Sequence, residues 1–380
     1  MKKILEINDL KSAAKKSVPK MFYDYVDSGS WTESTYISNE TDFNEIKLRQ
    51  RIGVSIKNRS FFTKVLGKTY SLPIGLSPTG MGGMLYPDGE NIVAKVCEEK
   101  NIPYIISTMT ICPMEEIANN TKADLWFQLY VMKDRVFVEN LINRAKNIKC
   151  KALVLTMDLP VLGQRHKDIR NGLSSPPKLT LNHVIQLLKR PRWCFEMIGA
   201  KNKTFGNIMG HAKGVDDLAS IASWTNNQFD QELSWDYVEW IKKIWKGPLI
   251  VKGVLDDQDA EIARKLNVEG IIVSNHGGRQ LDGTISSIKA LSKIVEKVGD
   301  DLEVYFDGGI RSGQDVVKAI SLGAKMAFFG RPYLYGLAAL GKKGVELAVE
   351  IIKKEIDLTL ALCGKTEIRQ LDKYSLYYEK

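Results

Sequence analysis

Eight short apolar runs lie between residues 72 and 329, and amphipathic stretches of helical period separate most of them. The runs fall at 72–77, 103–107, 125–129, 152–156, 249–251, 270–274, 304–306 and 326–329. Helical stretches such as 88–100, 133–147, 235–245, 256–266, 286–298 and 313–322 intervene. Alternation of this kind predicts an α/β fold with a parallel sheet, and eight units predict its closure into a (β/α)8 TIM barrel. A doubly wound open sheet would alternate too, but the count of eight favours the barrel. Chemically rich residues stand at each run's end: Pro78-Thr79, Ser107-Thr108, Gln128 and Tyr130, Thr156 and Asp158, Lys252, Asn275-His276, Asp307-Gly308-Gly309, Gly330-Arg331. Barrel enzymes build their sites at the carboxyl ends of the strands, and eight such ends in register exceed what turns require.

A single domain is expected, because α/β barrels routinely exceed the usual domain size. Residues 1–70 read as a helical N-terminal segment, with a helix start at Ser17-Val18-Pro19. Residues 71–340 form the barrel, and 344–362 a closing helix. The excursion at 162–233, after the fourth strand, is too long for an ordinary barrel loop and reads as a lid or binding element. No apolar run is long enough to span a bilayer. The first seven residues turn polar too soon for a signal peptide, so a cytosolic N-terminus is expected. The five cysteines form no Cys-x-x-Cys pair, and neither a disulfide framework nor a metal site is expected. A formal charge of +9 suits anionic partners. No nucleic-acid module accompanies it, and nucleic acid is not expected as a partner.

Two constellations carry chemistry. After the seventh and eighth runs, Asp307-Gly308-Gly309-Ile310-Arg311 and Gly330-Arg331 combine glycines, backbone N–H groups and arginines, which suits a phosphate. With no dinucleotide fingerprint after an early strand, a mononucleotide is expected rather than NAD. After the sixth run, His276 supplies a base near neutral pH, with Asp158 as its orienting anion. Arg165 and Arg279 can grip a carboxylate, and Tyr25 and Tyr130 can add hydroxyl donors. Lys252 ends the fifth run, where a buried ammonium needs an anion. A reduced flavin, a Schiff base or a simple ion pair would each account for it.

These residues resemble the FMN-dependent α-hydroxy-acid oxidases and dehydrogenases, from about residue 20 to residue 363. The motif Ser-Asn-His-Gly-Gly-Arg-Gln-Leu-Asp-Gly at 274–283 is the most specific match. Tyr23-Asp24-Tyr25, Ser77-Pro78-Thr79-Gly80-Met81, Phe127-Gln128-Leu129-Tyr130, Thr156-Met157-Asp158, Gly163-Gln164-Arg165 and Val251-Lys252-Gly253 add to it. Stretches at 106–116, 205–208 and 234–241 look most like the family's bacterial respiratory L-lactate dehydrogenases. The resemblance implies a barrel holding FMN that oxidises L-lactate to pyruvate and passes electrons to a quinone. It implies FMN over Pro78, Thr79 and Gly80, with Ser107, Gln128 and Thr156 bonding its ring and Lys252 stabilising the reduced ring. Asp307, Gly309, Arg311, Gly330 and Arg331 complete the implied cofactor set. Tyr25, Arg165 and Arg279 are implied to hold the substrate carboxylate, Tyr130 its hydroxyl, with His276 and Asp158 as base and orienter. Several oxidases carry alanine at the position of Gly80, so glycine implies room near the flavin and acceptors other than oxygen. A homotetramer is implied as well.

Residues 181–193 mix aliphatics, basic residues and a tryptophan, the composition of an interfacial segment. Lys178, Lys189, Arg190 and Arg192, at roughly 1 kcal/mol each on an anionic surface, would support peripheral attachment to the cytoplasmic face of a membrane. A lid packed on its own barrel is the other reading. Met81, Thr108 and excursion residues are expected to line the substrate side-chain pocket. His166 is expected beside the site, and His183 and His211 in solvent. Two rival functions remain open: a soluble 2-hydroxy-acid oxidase using oxygen, and a phosphate-binding barrel without catalysis.

Overall fold

The structure, a computed structural model, describes residues 3–172, 180–212, 215, 224 and 228–377. Eight strands form the expected closed barrel: β1 (Ile74–Leu76), β2 (Tyr104–Ser107), β3 (Leu125–Tyr130), β4 (Leu153–Thr156), β5 (Leu249–Val254), β6 (Gly270–Val273), β7 (Glu303–Asp307) and β8 (Met326–Phe329). Each pairs in parallel with its sequence neighbours, and β8 closes on β1.

Strand alternation sends every second side chain inward. Ile105, Trp126, Val154, Ile250, Ile272, Tyr305 and Phe328 meet inside in one apolar cluster. An antiparallel ribbon, Thr63–Val65 with Lys68–Tyr70, adds Val65 and Tyr70 to that cluster from below. Two residues further along each strand, the inward position is Ser107, Gln128, Thr156, Lys252, Ser274, Asp307 or Gly330. The interior therefore changes from a dry plug to a polar floor within one pleat. The alternate residues, Ile106, Phe127, Leu155, Val251, Val273 and Phe306 among them, pack outward in the larger core shared with the helices.

Helices α1 (Ile7–Ser17), α2 (Lys20–Val26) and α3 (Ser34–Thr41) lie over the barrel. In the excursion, α4 (His166–Arg170), α5 (Leu181–Leu188) and α6 (Pro191–Ile198) follow β4. The segment expected as one interfacial element is thus two helices, and Pro191 starts the second. Among the outer helices, α7 (Ser287–Val298) follows β6 and α8 (Arg331–Leu340) follows β8; α9 (Lys342–Leu362) is the long helix expected at 344–362, and a short strand beyond it, Leu376–Tyr377, pairs with Lys47–Leu48. Asp27 ties these layers together. Its carboxylate accepts bonds from Tyr23, Tyr36 and Tyr335 at 2.9, 2.7 and 2.8 Å and pairs with Lys11 at 2.9 Å. No described helix is long and apolar enough to cross a membrane.

Candidate active site

The strand ends open into a cavity of about 770 Å³. All residues that the sequence pointed to for the cofactor or the substrate carboxylate line it, as do Tyr130 and His276. Asp158 stands behind the wall, in contact with His276. On the floor, Ser107 Oγ donates to Gln128 Oε1 (3.1 Å), and Gln128 Nε2 donates to Thr156 Oγ1 (3.0 Å). Lys252 is buried, donates to Ser274 Oγ (2.8 Å) and pairs with Asp307 (3.1 Å). Of the three readings of Lys252, the ion pair is present here, and Asp307 spends its charge on it.

His276 sits at φ 59°, a left-handed backbone that histidine tolerates better than bulky residues. Its amide donates to Ser274 Oγ at 3.1 Å. Its Nδ1 lies 2.9 Å from Asp158 Oδ1, and its Nε2 lies 3.3 Å from the Tyr130 hydroxyl. The strand β5 is irregular just after Lys252, where Gly253 has φ 105°. A Cβ on Gly253 would come within 2.7 Å of the Asp158 side chain, so glycine is what lets Asp158 reach this position. Burial alone would raise the Asp158 carboxyl, but His276 and then Lys252 hold it below its usual value. Burial pulls the His276 pKa down, opposed by Asp158 and helped by Lys252 and Arg165. An ionised Asp158 accepts from Nδ1–H and leaves Nε2 as a free base facing the cavity. Burial pushes the Tyr130 hydroxyl up, so it remains a donor.

Arg279 donates from Nη1 to Tyr25 O (2.6 Å) and Ser28 Oγ (3.1 Å), and its guanidinium lies over the Tyr25 ring at 4.7 Å. Arg165 reaches the Arg279 carbonyl at 3.4 Å. At the other end, Arg331 donates to Val26 O (2.9 Å) and Ser28 O (2.7 Å). Arg311 donates to Glu40 (2.7 Å), while its Nε is buried without a hydrogen-bond partner among the described residues. The Gly308-Gly309 turn has a structural cause of its own. A Cβ on Gly309 would lie 1.8 Å from Asn39 O, so the approach of α3 requires glycine with or without an anion.

Several expectations are corrected. His183 is buried rather than solvated: it lines the cavity, and its Nε2 lies 2.7 Å from Asn171 O. Its Nδ1 accepts from the Thr180 amide at 3.2 Å in the capping turn of α5, a contact that composition does not reveal. Thr108 is fully buried behind the wall, donating to Gln128 O at 2.7 Å, because it points away from its inward neighbour Ser107. His166 does not line the cavity; its half-buried ring stands on α4, outside the wall. Gly80 does not leave open room: a Cβ would meet Met109 Cβ at 3.0 Å and the Tyr25 hydroxyl at 3.2 Å. Met81 and His211 do stand as expected, in the wall and exposed. Sequence reasoning missed Met21, Phe22, Met84 and Met109 in the wall, and expected excursion residues there without naming Asp168 or Phe229. Asp168 alone left a signal, three residues after Arg165 on one helical turn.

The family model described as FMN-dependent dehydrogenase matches residues 14–378. The L-lactate dehydrogenase of Pseudomonas syringae pv. syringae (strain B728a) is 41% identical over 370 residues, covering 97% of each chain. That of Vibrio cholerae serotype O1 (strain M66-2) is 40% identical over 369 residues, again covering 97% of each. Among solved structures, the monotopic membrane protein (S)-mandelate dehydrogenase superposes with a TM-score of 0.95 at 33% identity, covering 100% of both chains. A mandelate oxidase superposes with a TM-score of 0.84 at 31% identity, covering 99% of both.

Proposed function

Because the chain belongs to the family of FMN-dependent dehydrogenases, we propose that it oxidises L-lactate to pyruvate and delivers the electrons to a membrane quinone. The observation that carries this reading is His276, held by Asp158 with Nε2 turned toward Tyr130, in a cavity that also presents Arg165 and Arg279. The residues present fit FMN. The buried Arg311 Nε lacks a partner among the described residues, Arg331 stands beside it at the phosphate end, and Ser107, Gln128, Thr156 and Lys252 supply polar groups along the floor. When bound, FMN accepts the two electrons that leave the substrate's carbinol carbon. Arg279 and Arg165, with the Tyr25 hydroxyl, take the substrate carboxylate. Tyr130 donates to the hydroxyl oxygen, and His276 Nε2 takes the proton that oxidation releases. Asp158 stabilises the imidazolium so formed.

The membrane part of the reading rests on α5 and α6. Leu181, Val184, Ile185 and Leu188 form an exposed stripe, continued by Phe195 and Ile198, while His183 and Gln186 turn inward. An apolar face with basic residues at its edge suits an anionic lipid surface. Lys189 and Arg192 are exposed at that edge. Arg190 and Trp193 are engaged within the protein instead. Arg190 bonds the Val18 and Lys15 carbonyls, and Trp193 packs on Phe22 and bonds Met84 O. Lys178 lies outside the described residues. The solved relative's description as a monotopic membrane protein supports the same reading. Attachment to the cytoplasmic face and assembly as a homotetramer complete it.

The test is the visible spectrum of the anaerobic protein before and after L-lactate. Bleaching of a yellow protein is the expected result. A yellow protein that bleaches with mandelate or glycolate and not with L-lactate would sink the substrate assignment. Rapid stoichiometric peroxide under air would sink the assignment of a quinone.

A further inference from the structure

Asp168, on α4, stands in the cavity wall beside Arg279. Its Oδ2 lies 3.7 Å from Arg279 Nη2, beyond hydrogen-bonding reach. Asp168 Oδ1 and Arg279 Nη2 are both buried with no hydrogen-bond partner among the described residues. Arg279 is fixed from its other edge, by Tyr25 O, Ser28 Oγ and the Tyr25 ring. Asp168 therefore balances the charge of Arg279 without a hydrogen bond to it. Arg279 also lines the cavity, and a guanidinium there attracts an incoming carboxylate. Once one binds, Asp168 and the incoming carboxylate both face Arg279, with Arg165 as the second cation, and the added like charge in a buried site disfavours ionisation of Asp168.

We propose that Asp168 is the resident counter-anion of the arginine pair and takes up a proton when the substrate's carboxylate seats on Arg279, so that affinity falls as pH rises. The proposal rests on the reading of Arg279 as the carboxylate site. Burial already holds the Asp168 carboxyl above its usual value, against the pull of Arg279 and Arg165. The other charges facing it are committed elsewhere. Lys167, on its own helix, pairs with Glu33 at 2.9 Å. Asp24, from α2, accepts from Asn171 at 2.7 Å and pairs with Lys20. His183, from α5, lies against the Asn171 carbonyl. Tyr25, Tyr130 and His276 line the same cavity from the side of Arg279. A second carboxylate raises the Asp168 pKa further. Between the empty-site and bound values, the dissociation constant climbs with pH by up to about tenfold per unit.

Oxamate, which carries the carboxylate but no oxidisable carbinol, tests this by titration calorimetry. The holoenzyme carries His276→Gln, so that the base adds no proton of its own. Buffers of differing ionisation enthalpy, from about pH 5 to about pH 8, report proton uptake. Uptake approaching one proton is expected, and it should vanish in His276→Gln/Asp168→Asn, whose affinity becomes flat with pH. Equal uptake in both proteins would overturn the proposal. If the double variant does not fold, the infrared carbonyl band of a protonated carboxyl decides. Its growth on oxamate binding to His276→Gln supports the proposal, and its absence across the range overturns it. Oxamate binding that is indifferent to Arg279→Gln would bring down the carboxylate reading itself.

Discussion

The barrel mouth and the excursion both bury polar side chains, but they dispose of their apolar ones in opposite directions. At the mouth, Gln128, Lys252 and His276 bond to one another's neighbours above an apolar plug, and the outward residues pack under helices. The outer helix α7 follows the ordinary rule, burying Ile288, Leu291, Ile294 and Val298. In the excursion, α5 reverses it. His183 and Gln186 face the protein, Gln186 accepting from the Met21 amide at 3.0 Å, and the aliphatic stripe faces out. Both helices have apolar residues at helical spacing. The difference teaches that a stripe identifies a helix and leaves open what it is packed against. For α7 the partner is the barrel; for α5 no described residue covers the stripe, and lipid is the proposed partner.

The sharpest division between the two regions is catalytic. His276→Gln should lower turnover by about 10²–10⁴, the usual worth of a positioned base, and keep the flavin spectrum, since the Arg311 and Arg331 end is untouched. Near-normal turnover would end the assignment. Replacing Leu181, Leu188 and Phe195 together by serine should leave turnover with a soluble dye intact. It should weaken binding to anionic vesicles by about a hundredfold or more, because each buried apolar side chain is worth about 1.5–3 kcal/mol. Unchanged sedimentation with vesicles would return the excursion to the role of a lid.

The same substitution placed in both helices sharpens the contrast. Leu291→Ala, in the core, should cost about 2–5 kcal/mol in denaturant unfolding. Leu188→Ala should stay within about 0.5 kcal/mol. Similar losses would mean that the stripe on α5 is covered by the protein. The pH profile probes the mouth more gently. His276 must be neutral to act, so in an Asp168→Asn background, where that carboxyl adds no pH dependence to binding, kcat/KM should fall as pH drops through a pKa below the ordinary 6.5. Asp158→Asn removes the carboxylate that raises that pKa, and the acid limb should move to still lower pH. A limb moving upward would show that Asp158 does not act on His276. The smallest effect is expected for Gly80→Ala. Its Cβ would press on the Tyr25 hydroxyl from 3.2 Å and should raise KM about three- to tenfold, about 1 kcal/mol. An unchanged KM would remove Tyr25 from the carboxylate site.

The alternation that set out eight strand–helix units survives in the structure because period is a local property of the chain. The polar strand ends were legible for the same reason: inward positions recur every second residue, so Ile105 and Ser107, or Ile250 and Lys252, are fixed in sequence as well as in space. The polar strand end at 274–280 supplied the histidine and its arginine, and the resemblance at 274–283 agreed. Tertiary contact decided the rest. Whether Thr108 faced the cavity or Gln128, whether His183 met water or Asn171, and whether Gly80 left room or touched Tyr25 depended on segments far away in the chain. The pairing of Asp168 with Arg279 joins residues 111 positions apart. By itself the sequence determined the barrel, its working end and the chemistry gathered there, because all three follow from periodicity and motif. Only the tertiary structure decided which side chains share a guanidinium and which face of α5 is left outside, because burial depends on what the rest of the chain brings alongside.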